Sequence, residues 1–142
     1  MSGSAQYVMT EQDYAILRGI AMARPSAERG YFDLLRQKLV QTDIVSSEII
    51  DSNIVTMNSQ VRYKIADGRW LEHRLVLGGA REVIGETVSL RSKVGLALLG
   101  ARDEQIVHFD SDQSPVTVAN VIYQPEADKI VLALGRARRG QA

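Results

Sequence analysis

Residues Asn53–Tyr63 read NIVTMNSQVRY, and the reading of this stretch decides the fold. Its second half alternates: Val61 and Tyr63, continued by Ile65, are apolar, and Arg62 and Lys64 between them are charged. That is the two-residue period of a half-buried strand. Its first half does not alternate. Thr56, Asn58, Ser59 and Gln60 surround the single apolar Met57. Asn and Ser bond their own backbone readily, so the reading is a turn closed by Asn58 and Ser59, with Met57 packed inward, that launches a strand.

Downstream the same period continues. Ala66-Asp67-Gly68 makes a turn, and Trp70 to Leu77 returns as a second strand. Gly78-Gly79 breaks it. TVSLRS (87–92) is a short strand, and KVGLALLGA (93–101) is too compact and too rich in Ala and Leu to extend it. Val94 to Leu99 is therefore expected to form a short helix closed by Gly100. EQIVHFD (104–110) and VTVANVIYQ (116–124) alternate again, joined by the turn SDQSP.

Upstream the period is helical. Thr10 with Asp13 three residues later forms a helix-starting box, followed by Tyr14, Leu17, Ile20 and Ala21 at 3–4 spacing. Pro25 disfavours helix at Arg24, and Ser26 is a candidate cap for a second helix from about residue 27 to 41, with Phe32, Leu35 and Leu39 on one stripe. Two such helices pack as a hairpin with arms of about 18–22 Å. The expected architecture is α+β: residues 1–9 a flexible N-terminus, 10–42 a short antiparallel helical hairpin, 43–53 a linker, 54–134 a mostly antiparallel sheet with one short helix, and 135–142 a basic tail.

The chain has 142 residues, zero formal net charge and no cysteine. Disulfides and thiolate metal sites are excluded. No run approaches the ~18 apolar residues of a membrane span, and MSGSAQYVMTEQD lacks the layout of a signal peptide, so a cytoplasmic location without membrane contact is expected. The charges are segregated. Gln60 to Arg102 holds eight basic and four acidic residues, whereas Asp103 to Asp128 holds six acids and no Lys or Arg. Strands from the two segments can cancel some of this by pairing, and the rest suits a charged partner.

Motifs for catalysis are missing. His73 and His108 stand on separate strands without further ligands at metal-binding spacing. There is no GxSxG, HExxH, P-loop or dinucleotide fingerprint, and GGAREVIG (78–85) lacks the lysine of a phosphate loop. No strongly basic helix or helix-turn-helix is visible, so DNA contact is at most indirect. These readings point to a non-enzyme without cofactor or metal.

IVTMNSQVRY followed by a sheet and then VSLRSKVGLALLGARDEQIVHF resembles the C-terminal domain shared by the Gre transcript-cleavage factors and Rnk, the regulator of nucleoside diphosphate kinase. The matching residues are Val55, Thr56, Met57, Asn58, Ser59 and Val61, then Ser92, Val94, Gly95, Ala97, Leu98, Leu99 and Gly100. YQPEA (123–127) is similar to the end of Rnk-type chains, and the resemblance covers roughly residues 44 to 127.

That resemblance implies an FK506-binding-protein-like fold that docks on RNA polymerase beside its secondary channel, with the preceding hairpin pointing toward the channel. In Gre factors a long hairpin carries an acidic pair at its tip that helps hold a metal in the polymerase active site. Here the expected tip, Arg24, Pro25, Ser26, Glu28 and Arg29, has one carboxylate among cations, which is expected to pair with them rather than recruit a metal ion. Polymerase binding without cleavage stimulation is the resulting expectation, with Ser92, Lys93, Val94 and Gly95 as candidate contact residues. Two departures stand out: Lys93 occupies the usual place of a proline, and ARDEQIV (101–107) lacks the usual glycine. Alternative readings are a regulator of nucleoside diphosphate kinase or another metabolic partner, and a peptidyl-prolyl isomerase. The isomerase needs an aromatic-lined pocket, against which the chain after residue 50 offers only Tyr63, Trp70, Phe109 and Tyr123. Oligomeric state is not legible.

Overall fold

The computed structural model describes residues 6–108 and 115–129. Phe109, most of the SDQSP turn and the basic tail 135–142 lie outside the described residues.

The helical hairpin begins as its capping residues require. The Thr10 hydroxyl accepts the Asp13 N–H at 3.2 Å and starts α1 (Glu11–Ala23). Leu17 and Ile20 are buried along one stripe. Arg24 ends the helix in the left-handed region at φ 47. Helix α2 (Tyr31–Val40) starts four residues later than the sequence suggests. Gly30, not Ser26, occupies its N-cap, at φ 85 where glycine is at ease, so residues 25–29 form an irregular tip.

The ends of the hairpin depart from expectation. Tyr7–Thr10 form strand β1, which pairs in parallel with β2 (Thr42–Val45). Residues 7–9, read as flexible, are thus held, and the start of the linker is a strand. The reason is burial: Tyr7 and Met9 are 2% and 1% exposed, and the Val8 N–H donates to Gly100 O at 3.1 Å. An apolar pair two residues apart was the available clue.

The main sheet has the order β5-β4-β3-β7-β6. Its strands are β3 (Gln60–Ile65), β4 (Leu71–Val76), β5 (Thr87–Ser89), β6 (Ile106–Val107) and β7 (Val116–Tyr123). All neighbours are antiparallel except β4 and β5, whose parallel pairing is reached through residues 77–86 and a 3-10 turn, Gly79–Arg81. Helix α3 (Lys93–Leu98) follows β5 and lies against it. Their approach is so close that a Cβ on Gly95 would stand 1.9 Å from Ser89 O, which is why the VGLALLG stretch has glycine there.

One apolar cluster unites the molecule. Val61, Tyr63, Leu75, Val116 and Val118 come from the inner sheet face, Leu96 and Leu98 from α3, and Leu17, Ile20, Tyr31, Leu34 and Leu35 from the hairpin. Hairpin and sheet therefore share a core, each large side chain contributing about 1.5–3 kcal/mol on burial. The opposite sheet face, carrying Arg62, Glu72, Arg74, Asn120 and Ile122, is exposed.

Candidate functional site: the hairpin tip against the start of α3

The turn that opened the sequence reading is a buried polar knot. Ser59 Oγ accepts the Thr56 N–H at 2.9 Å, and the Ser59 N–H donates to Thr56 O at 3.0 Å. Asn58 takes the left-handed conformation, φ 69, which asparagine tolerates better than most residues. Met57 is 8% exposed, as expected of an inward side chain. The knot also ties distant parts together. The Thr56 hydroxyl donates to Glu126 Oε1 at 2.7 Å, and the Met57 N–H donates to Asp13 Oδ2 at 3.1 Å. Burial pushes the Asp13 carboxyl up to about 6, with the Glu126 charge adding to the rise while the Met57 and Thr10 bonds oppose it.

The two groups of candidate residues meet. Glu28 Oε1 accepts the Lys93 backbone N–H at 2.7 Å, placing the tip carboxylate at the N-terminus of α3. There it satisfies one of the helix's otherwise open N–H groups. Ser92 caps the same helix: its Oγ accepts the Gly95 N–H at 3.1 Å and donates to Ser89 O at 2.7 Å. The expected pairing of Glu28 with its flanking arginines gives way to this contact. The Arg24 guanidinium lies 4.9 Å from the Phe32 ring centroid, Arg29 is exposed, and among the described residues the ion pair of the hairpin is Arg36–Asp33. Pro25 is half-buried and Ser26 exposed.

Burial divides the α3 candidates. Lys93 is 3% exposed and Gly95 is buried, whereas Ser92 and Val94 are half-buried. The outer surface here is consequently formed by Ser92, Val94 and the tip. The proline that the resemblance implies at position 93 would have no N–H to give Glu28.

Two residues that sequence reasoning did not single out hold the hairpin down. Tyr31 donates its hydroxyl to Leu90 O at 2.8 Å, and burial raises its pKa to about 12. Lys38 is fully buried: its Nζ donates to Ala97 O at 2.8 Å and to Leu99 O, and lies 4.0 Å from the Tyr7 ring centroid. Burial lowers its pKa well below the ordinary lysine range. The available clue was its position, one turn beyond Leu34 and Leu35 on the buried stripe. No group of three or more His, Cys, Asp or Glu among the described residues could hold a metal ion. No described helix is long and apolar enough to cross a membrane.

Comparison with known proteins places the fold. The fold is that of the Gre-type elongation factors: a structure titled prokaryotic transcription elongation factor GreA/GreB from Nitrosomonas europaea superposes with TM-score 0.63 over 83% of this chain and 98% of its own, at 24% identity. No family model matches the chain. The regulator of nucleoside diphosphate kinase of Escherichia coli K12 is 31% identical over 99 residues, 67% of this chain and 73% of the relative, and that of Shigella flexneri matches to the same extent. The chain belongs to the family of regulators of nucleoside diphosphate kinase.

Proposed function

We propose that this protein is a non-catalytic regulator that binds RNA polymerase near its secondary channel and does not stimulate transcript cleavage. The observation that carries the reading is the engagement of Glu28. The tip offers a single carboxylate, and that carboxylate is already used as a helix-start acceptor for Lys93. A carboxylate so occupied, without an acidic neighbour in the tip, is a poor partner for a divalent ion, which takes several oxygen ligands. The fold supports the polymerase as partner, and Ser92, Val94 and the tip residues Arg24, Ser26 and Arg29 offer the accessible contact surface.

Binding of the full chain to core RNA polymerase, with a Gre factor as competitor, tests the reading. Displaceable binding at micromolar concentration or tighter is expected, together with no cleavage of a stalled transcript above the polymerase's own rate. Absence of binding, or cleavage stimulation, overturns it. A second reading follows from the name of the curated relatives: regulation of nucleoside diphosphate kinase by direct contact. Co-purification of the two proteins without polymerase would favour it.

A further inference from the structure

The outer face of the main sheet is not the neutral solvated surface that a half-buried sheet ordinarily presents. Strand register sets its side chains in rows. Arg74 stands beside Gln60 and Thr87, and Gln60 beside Tyr123. Arg62 stands between Glu72 and Asn120 in the next row, and Lys64 beside Thr117 in the third. Two exposed aromatic rings sit on this face, Trp70 with two cations against it and Tyr123 with one. Trp70 is 42% exposed, with Lys64 Nζ 4.7 Å and the Arg62 guanidinium carbon 5.8 Å from its ring centroid. Tyr123 is 39% exposed, with the Arg74 guanidinium carbon 5.9 Å away. In these rows three cations face one described carboxylate, Glu72. The Arg74 row runs into a cleft of about 560 Å³, also lined by Asn58, Arg81, Val83 and Glu86.

We propose that this face binds single-stranded RNA, with bases stacked on Trp70 and Tyr123 and phosphates on Arg62, Lys64 and Arg74. The core has no need of an exposed tryptophan, and a cation beside a π face is the pairing that single-strand platforms use for base and backbone together. Trp70, just before β4, lies four positions from Arg74 and two strands from β7, so the backbones of Trp70 and Tyr123 are roughly 16 Å apart at sheet spacings. That distance suits a run of several nucleotides, not one small ligand. An acidic protein segment would satisfy the cations but leave both ring faces unused. The amide and hydroxyl groups of Gln60, Asn120 and Thr117 lie between the stations, where a ribose 2′-hydroxyl finds both donors and acceptors.

Trp70 is the only tryptophan of the chain, so its emission reports directly on stacking. The full chain is titrated with an oligouridine of about a dozen nucleotides. Saturable quenching is expected, weakening with salt at a log–log slope of about −2 if three phosphates are neutralised. Trp70→Ala and Tyr123→Ala, followed by anisotropy of a labelled oligouridine, should each lower affinity about tenfold or more. Lys64→Gln should weaken binding and flatten the salt slope by about 0.7. Thermal melts of all three variants should stay near wild type, because each side chain is at least partly exposed. The proposal is overturned by absence of quenching or by variants that bind as wild type does. Equal affinity for the deoxy oligomer also overturns it. Equal quenching by a polyglutamate peptide would assign the face to an acidic protein instead.

Discussion

At the scale of single residues, the molecule depends on side chains whose environments differ sharply from their usual ones. Gly95 is the most constrained. A methyl group there would collide with backbone, not with a flexible side chain, so α3 must lift off β5. Gly95→Ala should destabilise the fold by about 3 kcal/mol, at the upper end for overpacking, measured as the shift in urea midpoint. Asp13 is a second case. Its carboxyl holds a proton up to about pH 6 in the folded state, against about 4 when unfolded. Its favourable contribution is therefore complete below pH 4 and is lost as pH rises through 6. Asp13→Asn keeps an oxygen for the Met57 N–H and removes the charge. We expect the variant to match wild type near pH 4 and to exceed it by about 2–3 kcal/mol at pH 8, read from denaturation at both pH values. The sequence pattern identified Asp13 as the partner of Thr10 at the helix start. Its bond to Met57 spans 44 residues and has no local signature.

Among the elements, strands and helices were mostly legible because each announces itself by period: two for β3, β4 and β7, near 3.6 for α1, with a compact Ala/Leu run for α3. The errors lie where local chemistry competes with tertiary contact. Ser26 is a good cap in isolation, yet Gly30 starts α2, and residues 25–29 form the tip whose Glu28 reaches the start of α3. Strand β1 shows only one repeat of its period, Tyr7 and Met9, and exists because these two find cover. The contact between tip and α3 was not legible at all, since it depends on a backbone N–H supplied by Lys93. That dependence is testable. Lys93→Pro should remove the bond while leaving the helix start intact, because proline suits the first helical position. Amide exchange at residues 26–30 is expected to accelerate, with global stability changed by no more than about 1–2 kcal/mol. Glu28→Ala should produce the same acceleration, and failure of both variants to do so would show that the contact does not hold the tip.

For the whole molecule, the division into hairpin and sheet domain that the sequence suggests is not a division of the core. Leu17, Ile20, Leu34 and Leu35 pack in the same cluster as Val61, Leu75 and Val118. Lys38 is buried in the same joint, bonded to the last turn of α3. We therefore expect one cooperative transition: loss of helix signal in the far ultraviolet and of tyrosine signal in the near ultraviolet should coincide on heating. Separate midpoints would mean that the hairpin folds as its own unit. The parallel pairing of β1 with β2 adds a mechanical consequence. With its base pinned by those strands and its tip resting on α3, the hairpin is a beam supported at both ends instead of a lever with one free end. A push on the tip would be carried into α3, and from Gly95 straight to the Ser89 carbonyl, with little side-chain padding to absorb it on the way.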